Sequence, residues 1–338
     1  MAAANVNDWF SPVSLAEYQD KLKRLVVNTA GGQPSPHKLC MLLALFDLAR
    51  AGGLEANRIY FAPPLLERYA QFFATVRGPN DHANPYFPFF HLSGKLRGGQ
   101  PSFWHLQSLP GRGGVLQAMS TARSFGDITT NIDYAQLDAE LFALLQDERA
   151  LNALTETISV HWLDRGLEDL RAVAARSGQV SSYERQLRHA PAMAASEGLP
   201  PAYIRNPAFR RVVTELYDYR CAATGLRVIL NGSDAMVEAA HIHPFSEAGD
   251  DDPRNGLALC PNMHWAMDRN LIAPGPDHNW HVSPMLDRRV PDFRVFVELE
   301  GQPIFPPLEA RFAPKREALE WRVARLRNHV PLDLVRVG

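Results

Sequence analysis

The chain has 338 residues, three cysteines and a net charge of −2, with 46% hydrophobic and 21% charged residues. That is enough chain for two domains of ordinary globular composition, and no apolar run nears the roughly 20 residues of a membrane span. Cys40, Cys221 and Cys260 are too few and too scattered for a disulfide framework, and the near-neutral charge excludes a protein that is basic throughout.

Taken in order, Leu15, Tyr18, Leu22, Leu25 and Val26 recur at helical spacing and predict a helix over 14–28. Pro36 and the pair Gly52-Gly53 bracket a second helix over 36–51. Its core, "LCMLLALFDLA", is apolar on most sides and so central to the first domain. A third helix over 64–76 starts at Pro63-Pro64. "YFPFFHL" (86–92) and "SFWHLQ" (102–107) are aromatic-rich and read as strands around the basic turn "SGKLRGGQP". They predict a β-hairpin with a mobile tip, Phe89 and Trp104 lying in its core. Helix returns over 133–175, and the Ser-, Ala-, Gly- and Pro-rich stretch 176–206 reads as a hinge. A basic helix over 207–221 follows, then the strand-like "LRVIL" and Asn231-Gly232, a strong hairpin signal. "MVEAAHI" predicts a strand ending near His241 and closed by Pro244. "NGLALC" predicts a second strand, and a helix begins near Pro261 with His264 and Asp268 on one face. A terminal helix is predicted over 313–327.

The segment "VEAAHIHPFSEAGDDDPRNGLALCPNMHWAMD" thus reads strand, loop, strand, helix. It resembles the HNH nuclease family, whose ββα-metal core carries a histidine at a strand end, an asparagine in the loop and a histidine on the helix. His241, Asn255 and His264 stand at those positions, and the resemblance covers roughly 207–275. It implies that His241 is the general base, since a neutral imidazole can take a proton from water at pH 7. It implies that Asn255 holds the loop and orients that imidazole. It also implies that His264 binds one divalent metal acting on the scissile phosphate. Ala240 stands where many members carry a further metal ligand directly before the base. Glu238 and Asp268 are the alternative ligands, each with a structural salt bridge or cap as its competing role. His243 lies beyond the strand and is expected to be non-catalytic. Oxygen-rich coordination with one imidazole suits Mg²⁺ or Mn²⁺. Some members also hold zinc with two CxxC pairs. Here Thr224 and Met263 replace the second sulfur of each pair, so no structural zinc is expected and Cys221 and Cys260 are expected to pack as small apolar residues.

The first domain, over about 15–110, resembles the DNA sulfur-binding domain of phosphorothioate-dependent restriction endonucleases. The residues that carry this are "PHKLCMLLALFDL", "NRIYFAPPLLERYAQFF", "PFFHL" and "FWHL". The resemblance implies a dent for sulfur walled by Tyr86, Phe87 and Pro88, with His91 nearby. His37 and Lys38 would supply donors at a helix start, and Lys95 and Arg97 on the hairpin tip would enter a groove. Lys38 is a softer match than the family's arginine, because it lacks the bidentate fork.

The resulting expectation is an α+β protein with three parts. Residues 1–145 form a mostly helical DNA reader with a β-hairpin, 146–206 a helical linker, and 207–338 the ββα-metal HNH nuclease domain. Its partner is double-stranded DNA, phosphorothioate-modified, cut by hydrolysis to a 5′-phosphate and a 3′-hydroxyl. The alternatives are a reader of methylated or hydroxymethylated cytosine, and a decayed HNH fold that only binds DNA. Cutting both strands with one site per chain calls for two copies, which leaves a homodimer open. The N-terminus has no basic region followed by an apolar core, so a cytoplasmic location without a membrane partner is expected.

Overall fold

The computed structural model describes residues 12–30, 33–78, 81–163, 170–189 and 199–327. The chain divides into two compact units, Met1–Ser182 with Asn231–Ser233, and Tyr183–Leu230 with Asp234–Gly338. Helices and small antiparallel sheets alternate, which is the α+β class expected from the sequence.

In the first unit the helix His37–Arg50 is the axis, and every residue from Leu39 to Arg50 is buried. The helices Pro63–Val76, Tyr86–His91 and Glu148–Leu163 pack around it, and Pro12–Lys23 packs on Glu148–Leu163. A helix apolar on all sides must be enclosed, and this one is. Its two buried charges are compensated. Asp47 lies 3.4 Å from Arg68, and Arg50 donates to Asn152 Oδ1 at 2.7 Å.

The predicted hairpin is not formed. Tyr86–His91 is a helix, and the strand Trp104–Ser108 pairs antiparallel with Ile132–Leu137, with Trp104 opposite Leu137. Aromatic β-propensity lost to local chemistry and packing. Pro85 caps the helix and Pro88 falls in its first turn, where a missing N–H costs nothing. Phe89 and Trp104 are core residues as expected, edge to face at 5.4 Å. Residues 132–137 are therefore strand, and helix resumes only at Ala139–Leu144.

Part of the predicted hinge is also helix, since Leu170–His189 runs through residues 176–189. Ser177, Ser181 and Gly178 are packing residues rather than loop formers. Ala174, Ser177, Val180, Ser181, Glu184 and Leu187 are buried at helical spacing. A Cβ on Gly178 would sit 3.4 Å from Arg50 Nη1. The stretch 190–198 lies outside the described residues.

In the second unit the strands Glu238–His241 and Gly256–Leu259 pair antiparallel, with Glu238 opposite Leu259 and His241 opposite Gly256. The helix Pro261–Asp268 follows, with its proline in the first turn. The helix Ala202–Leu216 presses on both strands. Gly256 permits that approach, because a Cβ there would lie 2.7 Å from Val213 and 2.8 Å from Phe209. The strands Ile229–Leu230 and Asp234–Ala235 pair antiparallel, Leu230 opposite Asp234, and the three residues 231–233 join them, with Asn231 and Gly232 at positive φ. The terminal helix is shorter than predicted, Arg316–Val323.

Candidate functional site

His241 ends its strand with the ring fixed in two directions. It stacks on Phe209 with centroids 3.9 Å apart and planes 2° apart, and its Nε2 lies 3.1 Å from Asp251 Oδ1. Asp251 is buried, and its other oxygen accepts from Arg205 at 2.6 Å and from the Tyr183 hydroxyl at 3.4 Å. Burial and the Asp251 charge push the Tyr183 phenol well above its ordinary pKa, so it remains a donor. Nδ1 of His241 makes no hydrogen bond among the described residues.

Asn255 is buried and holds the loop shut. Its Oδ1 accepts from the His243 N–H at 2.8 Å, and its Nδ2 donates to the carbonyls of His243 at 2.9 Å and Asp250 at 3.1 Å. It makes no hydrogen bond to the His241 ring among the described residues. The group on that ring is Asp251 instead.

His264 lies between two carboxylates, Nδ1 at 2.9 Å from Glu238 Oε2 and Nε2 at 3.5 Å from Asp268 Oδ2. Glu238 and His241 are three apart on one strand and so project to opposite faces. Two clusters result, His241 with Asp251 and His264 with Glu238 and Asp268, with no hydrogen bond between them among the described residues. Two carboxylates and an imidazole are the donor types of a hard divalent cation. They do not converge, because the carboxylates take opposite edges of the ring, and no group of three or more metal-binding side chains is found among the described residues. A cation that keeps most of its water needs only one or two protein donors, and either carboxylate–imidazole pair meets that need.

Arg322 is buried. Its guanidinium donates to the carbonyls of Ile242 at 2.6 Å, His241 at 3.3 Å and Met267 at 3.2 Å, and to Asn270 Oδ1 at 3.2 Å. It ties the end of the His241 strand to the end of the His264 helix, and burial lowers its pKa. Arg205 and Arg211 are likewise committed inside the unit, to Asp251 and to Glu184. The acidic loop is neutralised by Lys315, which reaches Asp250 at 2.7 Å and Asp252 at 3.0 Å. His243 stacks on Trp321 at 4.0 Å, and Arg325 lies 3.7 Å over the same indole. Arg269 lies 4.4 Å over Trp265, an exposed side chain next to His264. Neither Arg269 nor Arg325 forms an ion pair among the described residues. Cys221 and Cys260 are buried neighbours, the Cys260 N–H lying 3.4 Å from the Cys221 sulfur, and burial beside Cys221 pushes the Cys260 thiol up to about 11.

In the first unit, His37, Lys38, Phe87, Pro88, His91 and Lys95 line one cavity of ≈ 590 Å³, with Val26, Val27, Asp81 and Asn84 among its other walls. Tyr86 and Arg97 lie outside that lining. Tyr86 donates to Asn84 Oδ1 at 3.0 Å, and Arg97 sits in an exposed turn after Tyr86–His91 rather than on a hairpin tip. His37 spends both ring nitrogens internally, Nε2–H donating to the His82 carbonyl at 2.9 Å and Nδ1 accepting from Ser35 at 2.6 Å. Lys38 is half-buried, and desolvation lowers its pKa. His91 bonds Thr121 at 3.0 Å and stacks with Phe87, and burial with the Lys38 charge lowers its pKa, which keeps it neutral at pH 7.

Sequence reasoning missed Asp251, Phe209 and Arg322. The run of three aspartates was the visible signal for the first. Nothing local marked the other two, whose partners are distant in sequence.

No curated protein matches the chain. Among solved structures it is similar to a "Modification dependent TagI restriction endonuclease", with 19% sequence identity, a TM-score of 0.28, and coverage of 37% of this chain and 39% of that one. Residues 221–273 match the model of the HNH endonuclease family HNH_2, the span that holds Glu238, His241, Asn255, His264 and Asp268. No helix among the described residues is long and apolar enough to cross a membrane. Residues 221–273 of the second unit thus carry an HNH endonuclease domain.

Proposed function

We propose that this nuclease is modification-dependent, reading phosphorothioated DNA with its first unit and hydrolysing a phosphodiester nearby with its second. The observation that carries the reader is the single cavity lined by six of the residues selected from sequence. Phe87, Pro88, Val26 and Val27 give it apolar wall, and Lys38 and Lys95 give it cations for flanking phosphates. Sulfur is larger and less strongly hydrated than oxygen, so it enters an apolar wall at little cost. A phosphate oxygen there loses water without a replacement hydrogen bond, at about 1–3 kcal/mol.

In the nuclease unit, the scissile phosphodiester would be held beside His241. His241 takes a proton from the attacking water, the water oxygen bonds to phosphorus, and the P–O3′ bond breaks. The departing 3′-oxygen takes a proton from solvent. Asn255 keeps the loop closed around the base. His264, with Glu238 or Asp268, would hold a divalent cation, which when bound supplies Lewis-acid stabilisation of phosphoryl charge. Arg269 and Arg325, mounted on tryptophans, would contact backbone phosphates on either side.

The cavity's size supports a second reading. At ≈ 590 Å³ it falls in the range of small-molecule pockets and is large enough for an extruded, modified cytosine. A gel-shift panel of phosphorothioate, methylated, hydroxymethylated and plain duplexes separates the two. Preference for the phosphorothioate duplex, lost on Pro88→Asp, is the expected outcome. Equal affinity for all four duplexes overturns both readers.

A further inference from the structure

We propose that Asp251 is a positioning residue for hydrolysis, holding His241 as the Nε2–H tautomer so that Nδ1 is the atom that takes the proton from water. The inference rests on the reading of His241 as the base and goes beyond it, because that reading leaves open which nitrogen acts and what selects it.

A carboxylate offers only acceptors, so the hydrogen in the 3.1 Å contact between Asp251 Oδ1 and Nε2 belongs to the ring. A neutral imidazole with hydrogen on Nε2 has its lone pair on Nδ1. Asp251 can hold that role because it is itself fixed. It is buried, and Oδ2 is occupied by Arg205 at 2.6 Å and Tyr183 at 3.4 Å. Arg205 is braced in turn over the Phe245 ring at 3.6 Å. The carboxylate thus cannot rotate toward solvent without breaking bonds to two other helices. Stacking on Phe209 fixes the plane of the His241 ring, and the hydrogen bond fixes which edge faces inward. Together they leave one nitrogen available and one orientation for it. When the ring gains its proton, the fixed carboxylate stabilises the imidazolium. The buried Asn255 amide is fully engaged with backbone and makes no bond to the ring, so the orienting function falls to the aspartate.

The test uses the full chain with ¹⁵N-labelled histidine, and Mn²⁺-dependent cleavage of phosphorothioate-containing plasmid. The wild-type His241 signals report the tautomer directly, and an Nδ1–H tautomer overturns the proposal whether or not any variant folds. Asp251→Asn is expected to lose the pure Nε2–H signature and to lower kcat by about 10²-fold or more, with KM little changed. His241→Ala separates this inference from the reading beneath it. Wild-type cleavage by His241→Ala overturns the base assignment itself. An inactive His241→Ala beside an Asp251→Asn enzyme with wild-type kcat and tautomer overturns only the role of Asp251.

Discussion

Phe209 lies 3.9 Å beneath His241 with the rings parallel to within 2°, and the same phenyl ring blocks any side chain at Gly256, the residue paired with His241 across the sheet. Phe209, on the Ala202–Leu216 helix, therefore supports the His241 ring and, together with Val213 of the same helix, leaves no room for a Cβ on the neighbouring strand. Gly256→Ala places a Cβ 2.8 Å from Phe209 Cζ, and overpacking of that kind costs about 1–3 kcal/mol. The expected result is a lower Tm together with a lower kcat, since the displaced ring is the one His241 stands on. Thermal unfolding and plasmid cleavage measured on the same preparation check it. A loss of stability with unchanged kcat would show that the stack is only packing.

The carboxylates beside His264 are expected to act through metal affinity. Glu238→Gln and Asp268→Asn should each weaken Mn²⁺ binding measured by titration calorimetry, and His264→Ala should abolish it. Chelation with EDTA should stop cleavage and added Mg²⁺ or Mn²⁺ restore it. Because two carboxylates flank one ring, the double variant should be worse than either single one. Undiminished Mn²⁺ affinity in the double variant would remove both carboxylates from the site.

Lys38 would give the proposed DNA reader a pH signature. Desolvation lowers its pKa from the ordinary lysine value. Binding an anionic strand favours the charged form, so affinity is greatest below the pKa of the free protein and falls as pH rises through it. The loss should therefore begin below the roughly 10.4 of an ordinary lysine. Lys38→Arg keeps its charge over that range and should flatten the curve. Fluorescence anisotropy of a labelled phosphorothioate duplex, taken from pH 7 to 10, reads this out.

Arg269 and Arg325 are held by indole faces and make no ion pair among the described residues. If each meets one phosphate, alanine at either position lowers the slope of log affinity against log salt by about 0.9 and weakens all duplexes alike. Arg316, which pairs with Glu320 at 2.7 Å, serves as the control and should leave the slope unchanged.

Much of the nuclease core was legible in the sequence because its elements are local. Alternation, Pro261 and the Asn231-Gly232 turn each report on a few neighbouring residues, and together they fix strand, strand and helix within a few positions. The first unit was harder. The aromatic run at 86–92 has strand composition, yet Pro85 and the face it packs against His37–Arg50 make it a helix. The serines and glycine of 176–189 have loop composition, yet Ser177, Ser181 and Gly178 are small residues packed inside. Composition failed at both places because the deciding term was contact with a segment far away in the chain.

The sequence by itself determined which chemical groups this protein carries and the order in which it carries them, including His241, Asn255 and His264 in an HNH arrangement. Only the tertiary structure decided which group touches which. It set Asp251 rather than Asn255 against the His241 ring, buried Arg322 inside the core, and gathered His37, Lys38, Phe87, Pro88, His91 and Lys95 around one cavity. The physical reason is that hydrogen bonds, stacking and desolvation act over a few ångströms. Which residues come that close depends on how helices and sheets pack, and no short window of sequence contains that information.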